Sequence, residues 1–442
     1  MKTLYAVDLL YHVPSNTNVN FYGWVKTRRR HNHIIFLDIC DSTDSIQVVV
    51  DSTKIGEKSF KDLYRITIES SVKVTGILVD TGKNKPPKEI HANRIEIIGP
   101  ATISVSPYPR SDIDIFDPKL KEQLLNKRYF YLRNKKIMTI LKFRHVLTGI
   151  VHQWFREKGF IEIHAPILTP TPLYDDRTPI ALKVHGQNVY LTQCVGFYLE
   201  QAVHAFEKIY NIGPSFRAEE SRSKRHLMEY WHIKAEMTFV NFEELVIMVE
   251  QFIYDVTEQC VAYSAPLAKV IGTEMCQDGL KTPFPRIDYN EAVDWLKGQG
   301  SDIEFGKSLG SAEEFLLSSR FNETPFWVVG IPRSIEPFPY VIDSNDPRRT
   351  KTADLITSKG FGELLGIAEK IHTLPMLDER LVEKGKIGDF RYEWLRELRQ
   401  YGCVPHGGFG IGLERFIRWL LQIPHVRDTI PFHRAFGRRI FP

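Results

Sequence analysis

The hydrophobic pattern of this 442-residue chain changes its period once, and that change divides the chain into two parts. Between residues 21 and about 100, apolar and polar residues alternate in five short runs: FYGWVKT, HIIFLDI, SIQVVVD, SVKVTGILV and IHANRIEIIG. A period of two places every second side chain on one face of a β-strand. Because clusters of Asp, Ser, Gly and Lys separate the runs, we predict five strands that close into a small barrel.

After residue 130 the apolar residues recur at helical spacing, in a run from Ile137 to Trp154 that ends before Gly159. Strand-like segments then alternate with helices to the carboxyl end, including VYLTQ at 189, IYNIGPSF at 209, HIKAEMTF at 232 and FWVVGIP at 326. The strands outnumber parallel crossovers, which favours an antiparallel sheet flanked by helices over a Rossmann sheet. We therefore predict an α+β fold.

Three segments follow from these patterns. Residues 1–103 are expected to form the five-stranded barrel, of the OB-fold type that commonly binds nucleic acids. Residues 104–130 are rich in proline near their start and lack a clear period, which predicts a hinge. Residues 131–442 are expected to form one large domain with the antiparallel sheet.

Charge and cysteine usage narrow the class of protein. The chain has 58 basic and 54 acidic side chains, so contact with nucleic acid must come from a local patch, for which Lys26 and Arg28 to Arg30 are candidates. The five cysteines lie far apart without zinc spacing, which indicates reduced thiols. Asp8 interrupts the first apolar run, and no stretch is long enough to span a membrane, so a cytoplasmic location is expected.

The densest charged segment runs from Phe216 to Tyr230 between two strand-like runs. It offers Arg217, Arg225 and His226 to a polyphosphate, because guanidinium groups match phosphate oxygens in a bidentate manner. Tyr230 adds a flat stacking surface. The alternative is a solvated hairpin tip without a ligand, and the residues of this segment alone leave both interpretations open.

A second segment, Pro405 to Arg415, carries four glycines before an apolar helix predicted at 416–423, so the backbone could approach a ligand closely. Arg415 would lie in the first turn of that helix. The alternative is a glycine-rich turn that packs on a core helix, with Arg415 in a surface ion pair. A third segment, Gly159 to Leu168, joins a helix end to an extended apolar run and is typical of a subunit interface. Neither common nucleotide-binding glycine motif occurs.

In this order and with these separations, the three segments resemble motifs 1, 2 and 3 of class II aminoacyl-tRNA synthetases, most closely the aspartyl and asparaginyl group. The resemblance covers nearly the whole chain. Similar segments include Gly23 to Val25, Arg30, Phe36 and Asp41 to Gln47 in the barrel, and Ile430 to Phe432, Arg434 and Arg439 to Pro442 at the carboxyl end. Tyr401 to His406 and Asn345 to Arg348 are closer to asparaginyl enzymes.

The resemblance implies an ATP-dependent ligase that forms an acyl-adenylate and transfers the acyl group to an acceptor. It implies catalytic roles for Arg217 and Arg415, with Arg217 on the α-phosphate and the substrate carboxylate. The implied contacts to the rest of ATP come from Glu219 and Tyr230 at adenine, and from Arg225, His226 and Arg415 at the outer phosphates, with Gly412 beside them. Glu363, helped by Asp354, would carry Mg²⁺.

The acid-binding half departs from the family pattern. Gly196 stands where a glutamine normally contacts the α-amino group, and Leu199 stands where aspartyl enzymes have a lysine. Lys370 replaces a substrate-reading arginine, Gln400 replaces a second arginine, and Glu336 replaces a basic residue. Leu173 follows Pro172 where the family usually has a glutamate, which leaves open whether Asp175 or Asp176 substitutes. With Gln193, the residues assigned to the acyl pocket are Gln193, Gly196, Leu199, Leu173, Lys370 and Gln400.

Three hypotheses follow. The chain could be a paralogue that activates a different small carboxylic or amino acid, which the changed pocket favours. It could be an authentic asparagine–tRNA ligase that binds tRNA through Arg30, Phe36 and Gln47. The least favoured hypothesis is a catalytically silent RNA-binding regulator, since the ATP-binding set is intact. Motif 1 implies a homodimer through the region from Trp154 to Pro166. The acid and the acceptor stay open at this point.

Overall fold

A computed structural model describes residues 2–82, 86–102, 114–117, 119, 125–171, 178–221, 223–275, 280–322 and 324–440. The chain forms two compact units, residues 1–109 and 110–442. Most of the predicted hinge at 104–130 lies outside the described residues, so the three-segment division stays a prediction.

The first unit is a closed barrel with strand order β1-β2-β3-β5-β4. Its strands are β1 (Asn18–His31), β2 (Ile34–Cys40), β3 (Ser45–Asp51), β4 (Ser71–Asp80) and β5 (Lys88–Gly99), with short helices α1 (Ala6–Tyr11), α2 (Ser52–Ile55) and α3 (Glu57–Leu63). Burial alternates along β2 and β3 as their hydrophobic period requires, because every second side chain enters the barrel core. The five predicted strands are confirmed.

The second unit contains the remaining elements. Its helices are α4 (Arg128–Tyr131), α5 (Lys135–Glu157), α6 (Gly196–Phe206), α7 (Phe242–Ile271), α8 (Tyr289–Gly298), α9 (Ser311–Arg320), α10 (Leu374–Glu383), α11 (Glu393–Gln400) and α12 (Leu413–Leu420), with 3₁₀ turns at Phe390–Tyr392 and Val426–Asp428. Its strands are β6 (Ile161–Glu162), β7 (Leu168–Thr169), β8 (Ile180–Val184), β9 (Gln187–Leu191), β10 (Lys208–Phe216), β11 (Glu229–Thr238), β12 (Arg286–Asp288), β13 (Phe326–Val329), β14 (Thr352–Thr357), β15 (Gly362–Lys370) and β16 (His406–Gly412).

Eight of these strands form one sheet in the order β12-β13-β14-β15-β16-β11-β10-β6, and β7-β9-β8 form a small second sheet. All neighbours from β13 to β10 in the large sheet are antiparallel. Helices α5 and α7 pack on the sheet through one core that includes Phe155, Phe252 and Phe409. The predicted α+β architecture, a barrel followed by an antiparallel-rich sheet with helices, is confirmed.

Local signals explain where the two long helices begin and end. The Asn134 side chain accepts hydrogen bonds from the first backbone amides of α5, and Gly159 follows its end at φ +80°, as predicted. Asn241 and Glu244 form a capping box at the start of α7, which ends at Gly272 with φ +82°. The apolar helix predicted at 416–423 begins earlier, at Leu413.

The alternative interpretation of the glycine-rich segment, a turn that packs on a core helix, is wrong. Residues 406–412 form β16, which pairs with β11 on one side and β15 on the other. The glycines serve strand packing, since a Cβ on Gly408 would stand 2.1 Å from the Ala235 carbonyl oxygen and a Cβ on Gly407 would stand 2.6 Å from that of Ala368. Glycine is depleted in β-strands, which is why the sequence analysis did not predict a strand here.

Candidate active site

One face of the large sheet carries two adjoining cavities. Side chains alternate along a strand, so β11 presents Tyr230, His232, Lys234 and Glu236 to the same face. The neighbouring strands present mainly Gly366, Gly408 and Gly410 there. The two cavities share Arg217, His232, Glu363 and Gly410 as lining residues. The glycines therefore form an open floor, and charged side chains form its rim.

The first cavity contains all the residues to which the resemblance gives an ATP-binding role. Its described lining includes Arg217, Glu219, Arg225, His226, Tyr230, Glu363, Gly412 and Arg415. The guanidinium of Arg217 lies 5.6 Å from the centre of the Tyr230 ring. The Arg415 Nη1 atom lies 3.3 Å from the Glu363 carboxylate and donates to the Glu363 carbonyl oxygen. The segments 216–230 and 405–415, which are remote in sequence, thus meet at one site.

Two of these groups already have partners. Arg225 directs both Nη atoms to the buried carboxylate of Glu314, so its guanidinium is fixed in orientation. The Nδ1 atom of His226 lies 2.8 Å from the hydroxyl oxygens of both Ser221 and Ser223. Burial and the positive charge of Arg415 lower the pKa of His226, which favours its neutral form. Glu314, which holds Arg225, was not identified from the sequence.

Glu363 reaches the cavities because of an irregularity in the sheet. The register between β14 and β15 shifts after Leu355, so that Leu355 pairs with Leu365 and Ile356 pairs with Glu363. The extra residue, Leu364, lies unpaired between them, and bulges of this kind redirect the following side chain. Burial opposes ionisation of Glu363, but Arg415, Arg225 and Arg217 outweigh it and hold the pKa of this carboxyl below its usual range.

In contrast to Glu363, two other carboxyl groups of the second cavity have raised pKa values. Burial raises the pKa of Asp354 well above its usual value, and repulsion from Glu363 and Glu336 raises it further. Burial likewise raises the pKa of Glu336 to about 7. A cation bound nearby would lower the pKa of both carboxyl groups and favour loss of their protons. Oxygen ligands with this excess negative potential fit a hard divalent cation such as Mg²⁺.

The second cavity has a volume of about 320 Å³, which suits a small organic acid. At its wall, the Lys370 ammonium lies 2.5 Å from a Glu236 carboxylate oxygen and 3.3 Å from one of Glu200. Glu200 also accepts a hydrogen bond from the Arg399 guanidinium. Lys370 is therefore held inside a buried ion network. Glu200, Glu236 and Arg399 were not identified from the sequence, because only the strand register and the helix face bring them together.

The structure does not bring every residue assigned to the acyl pocket to this cavity. Leu199 and Lys370 line it. Gly196 begins α6, and Gln193 is buried with its amide directed to Thr178; neither is among the described lining residues. Gln400 is exposed at the end of α11, whereas the preceding Arg399 is buried, which corrects the assignment of Gln400 to the pocket. Leu173, Asp175 and Asp176 lie outside the described residues.

The residues assigned to RNA divide between two regions of the barrel. Phe36 and Gln47 lie on the outer face of β2 and β3, where the guanidinium of Arg29 is 5.9 Å from the Phe36 ring centre. Arg29 donates to the Gln47 side-chain oxygen, and the Gln47 amide donates to Glu89. Arg30 lies instead over the Tyr64 ring at 3.6 Å. Arg29 therefore belongs with Phe36 and Gln47, and Arg30 does not.

The segment assigned to a subunit interface carries unpartnered apolar surface. Ile161 is 46% exposed, Ile167 44% and Leu168 49%. Exposed apolar side chains of this kind occur at association surfaces, and the homodimer stays a prediction. None of the helices in the described part of the chain combines the length and the apolar character needed to cross a bilayer.

Comparisons with known proteins agree with this arrangement. Residues 120–435 match the family of tRNA synthetases class II (D, K and N), and residues 19–98 match the OB-fold nucleic acid binding domain. The chain is 34% identical to asparagine–tRNA ligase from Pyrococcus horikoshii over 430 residues, 96% of each chain. Its fold is similar to the crystal structure of asparaginyl-tRNA synthetase from that organism complexed with asparaginyl-adenylate, with a TM-score of 0.92 over 100% of each chain and 32% identity. It is also similar to the Entamoeba histolytica asparaginyl-tRNA synthetase in complex with asparaginyl-adenylate, with a TM-score of 0.86 over 98% of each chain and 25% identity.

Proposed function

Since this chain belongs to the class II aminoacyl-tRNA synthetases of the Asp, Lys and Asn group, we propose that it activates a small carboxylic acid with ATP and transfers the acyl group to an acceptor. The observation that carries this proposal is the junction of the two cavities. Arg217 lines both cavities. Its guanidinium can therefore contact ATP in the first cavity, beside Arg225 and Arg415, and the acid in the second cavity. A group in that position orients both reactants.

In the first step, a carboxylate oxygen of the acid attacks the α-phosphorus of ATP. The bond from the α-phosphorus to its bridging oxygen breaks, and pyrophosphate leaves with the electron pair. Arg217 neutralises charge on the phosphorus oxygens and holds the carboxylate in line, which lowers the barrier by orientation and electrostatics. Arg225, His226 and Arg415 face the departing pyrophosphate, and Tyr230 and Glu219 hold adenine.

Glu363 and Asp354 are the residues that would hold Mg²⁺, and the raised pKa of Asp354 supports the fit, since a cation relieves the repulsion that keeps its proton bound. Bound Mg²⁺ supplies additional positive charge to the phosphate oxygens. In the second step, a hydroxyl of the acceptor attacks the acyl carbon, AMP leaves, and the hydroxyl proton passes to the departing phosphate or to water.

We infer that the acid differs from asparagine. Gly196 stands where the family pattern has a glutamine that contacts the α-ammonium group of the amino acid. Lys370 stands where the pattern has an arginine, and a lysine cannot form the two parallel hydrogen bonds that an arginine forms. The second candidate, asparagine–tRNA ligase activity, is favoured by the 34% identity to such an enzyme over 96% of the chain. For the acceptor, the barrel face with Arg29, Phe36 and Gln47 supports tRNA.

Pyrophosphate exchange with a panel of amino acids and other carboxylic acids tests the proposal. At least one acid should support ATP–pyrophosphate exchange, and Arg217→Ala and Arg415→Ala should abolish it. Arg286→Ala is the matched control, because its ion pair with Glu243 is exposed and remote from the cavities. If asparagine supports exchange as efficiently as in an asparaginyl-tRNA synthetase, the inference that the acid differs from asparagine is refuted. If none of the acids supports exchange, the proposed ligase activity is refuted.

A separate charging assay with total tRNA tests the acceptor. Acid-dependent attachment of label to tRNA supports the synthetase reaction, whereas exchange without charging points to another acceptor.

A further inference from the structure

We propose that His204, Cys403 and His406 form a binding site for a zinc ion, behind the wall of the second cavity and distinct from the residues assigned to ATP and Mg²⁺. One ligand atom of each residue, a ring nitrogen or the sulfur, lies within 4.8 Å of the ligand atoms of the other two. Zn²⁺ commonly binds imidazole nitrogens and thiolates, whereas Mg²⁺ takes oxygen ligands. The proposal does not depend on the proposed adenylation.

The three residues come from elements with fixed positions. His204 lies on α6, and His406 begins β16, where it pairs with Thr238 on β11 and Lys370 on β15. Cys403 belongs to the short segment that leads into β16. The rings of His204 and His406 meet edge to face, with their centres 5.0 Å apart. Ligands on a helix and a sheet are held precisely, as a metal site requires. The cysteine spacing does not reveal this site, because two of its three ligands are histidines.

The hydrogen bonds of both histidines fix which ring nitrogen carries the proton. The Nδ1 atom of His204 lies 2.8 Å from the carbonyl oxygen of Glu200, and the Nδ1 atom of His406 lies 2.8 Å from that of Val404. A carbonyl oxygen only accepts, so Nδ1 donates in each ring and Nε2 keeps a lone pair. Metal-binding histidines typically have this arrangement, in which the other ring nitrogen donates to a carbonyl or carboxylate. Both imidazoles therefore have the protonation state that a metal ligand needs.

Cys403 supplies the sulfur ligand. Its Sγ atom lies 2.9 Å from the Nε2 atom of His204, so the thiol donates to that lone pair. Tetrahedral zinc places sulfur and nitrogen ligands about 3.6 Å apart, so these two side chains would separate by about 0.7 Å when the ion enters. Burial raises the pKa of Cys403, so the thiol keeps its proton until a metal binds. Binding forms the zinc–sulfur bond and releases that proton to water. Because Cys403 is partly exposed beside exposed Gly402, water can reach the fourth ligand position.

The charges around the site permit a divalent cation. The Nε2 atom of His406 lies 3.8 Å from a carboxylate oxygen of Glu200 and 4.0 Å from one of Glu236. These two carboxylates pair with Lys370 and Arg399. The four charges therefore sum to zero, and the thiolate adds one negative charge when zinc binds. The ion thus does not have to overcome a net positive charge from these groups.

Zinc binding to the full-length protein tests the site. Metal-free protein is dialysed to equilibrium against micromolar Zn²⁺ with millimolar Mg²⁺ present, so that Mg²⁺ occupies the oxygen ligands. We expect one zinc ion per chain. Loss of an outer partner alone typically costs about 10–100-fold in affinity, so Cys403→Ser and His204→Gln should each weaken binding about a hundredfold or more. The controls Cys40→Ser in the barrel and His185→Asn in the exposed turn between β8 and β9 should leave binding unchanged.

Alkylation of the unmodified protein decides the question where a variant fails to fold. Iodoacetamide is added with and without Zn²⁺, and the labelled peptides are quantified by mass spectrometry. Zinc should slow labelling of Cys403 about tenfold or more, because the metal-bound sulfur is not free to react, while labelling of Cys40 stays the same. Failure to bind zinc at micromolar concentration overturns the proposal. Labelling of Cys403 that zinc does not slow, or zinc binding that survives in Cys403→Ser or His204→Gln, also overturns it.

Discussion

Replacing Glu200 with glutamine tests whether the buried ion network stabilises the wall of the second cavity. Glu200 is fully buried and faces Arg399, Lys370 at 3.3 Å and His406 at 3.8 Å. Burial opposes its ionisation, but Lys370 and Arg399 outweigh burial and hold the pKa of this carboxyl well below its usual value. Glu200 is therefore charged at neutral pH, and glutamine removes that charge while it preserves the shape.

The expected loss of stability is about 3 kcal/mol. At 3.3 Å the attraction between Glu200 and Lys370 amounts to about 5 kcal/mol at an effective dielectric constant of 20, before the cost of burial is subtracted. Breaking a buried pair by removing one partner typically costs about 3–5 kcal/mol. Because Lys370 keeps Glu236 as a partner, we expect the lower end of that range.

Urea unfolding followed by tryptophan fluorescence measures this loss. Of the seven tryptophans only Trp24 lies in the first unit, so the signal reports mainly on residues 110–442. Glu397→Gln on the exposed part of α11 is the control and should change the free energy of unfolding little. In the double variant with Lys370→Met, the two losses should not add, since the residues share one interaction.

The pH dependence supplies a second readout. A carboxyl whose pKa is lowered by folding contributes stability above its usual value of 4.5, and that stability is lost as the pH falls through the folded-state pKa. The unmodified protein should therefore lose stability below pH 4.5 more steeply than Glu200→Gln. A free energy of unfolding for Glu200→Gln within about 1 kcal/mol of the unmodified protein would refute the reasoning.

Three further predictions concern separate features. Glu336, with a pKa raised by burial to about 7, binds more protons in the folded than in the unfolded protein, so stability to urea should fall as the pH rises from 4.5 towards 7. Because buried Asp354 contributes a slope of the same sign, Glu336→Gln should reduce the slope without abolishing it; an unchanged slope would contradict the burial of this carboxyl. Phe36→Ala should weaken tRNA binding about tenfold or more in filter-binding titrations, as the loss of a stacked base requires, whereas equal weakening in the control Tyr11→Ala would exclude specific stacking. Ile161→Glu should convert a dimer to a monomer by light scattering while Ile98→Glu does not, and a monomeric unmodified protein at micromolar concentration would rule out the expected dimer.

The barrel was predictable from sequence because one physical rule governs it. In β2 and β3 each inward residue is apolar and each outward residue is free to be polar, so burial and sequence share a period of two. Strand β14 breaks that rule. Five of its six residues are buried, because the large sheet is covered on both faces there, and its sequence TADLIT carries no alternation.

The candidate site was predictable where it depends on motifs and unpredictable where it depends on register. Arg217 and Arg415 were identified because each lies in a recognisable segment. Glu200 and Arg399 were not identified, since only the helix face and the strand register bring them close to Lys370. The assignment of Gln400 failed for a similar reason: one residue along a helix turns a side chain by about 100°, and this turn separates exposed Gln400 from buried Arg399.

The glycine content of β16 affects how the sheet opens. Four of its seven residues are glycine, and each glycine in a strand costs about 0.5–1 kcal/mol relative to alanine in conformational entropy. The strand nevertheless lies near the centre of the sheet, between β11 and β15. Its amides therefore owe their protection from hydrogen exchange to the two neighbouring strands, and a ligand that bridges them would slow exchange in β16 first. Such slowing would report occupancy of the site without any measurement of turnover.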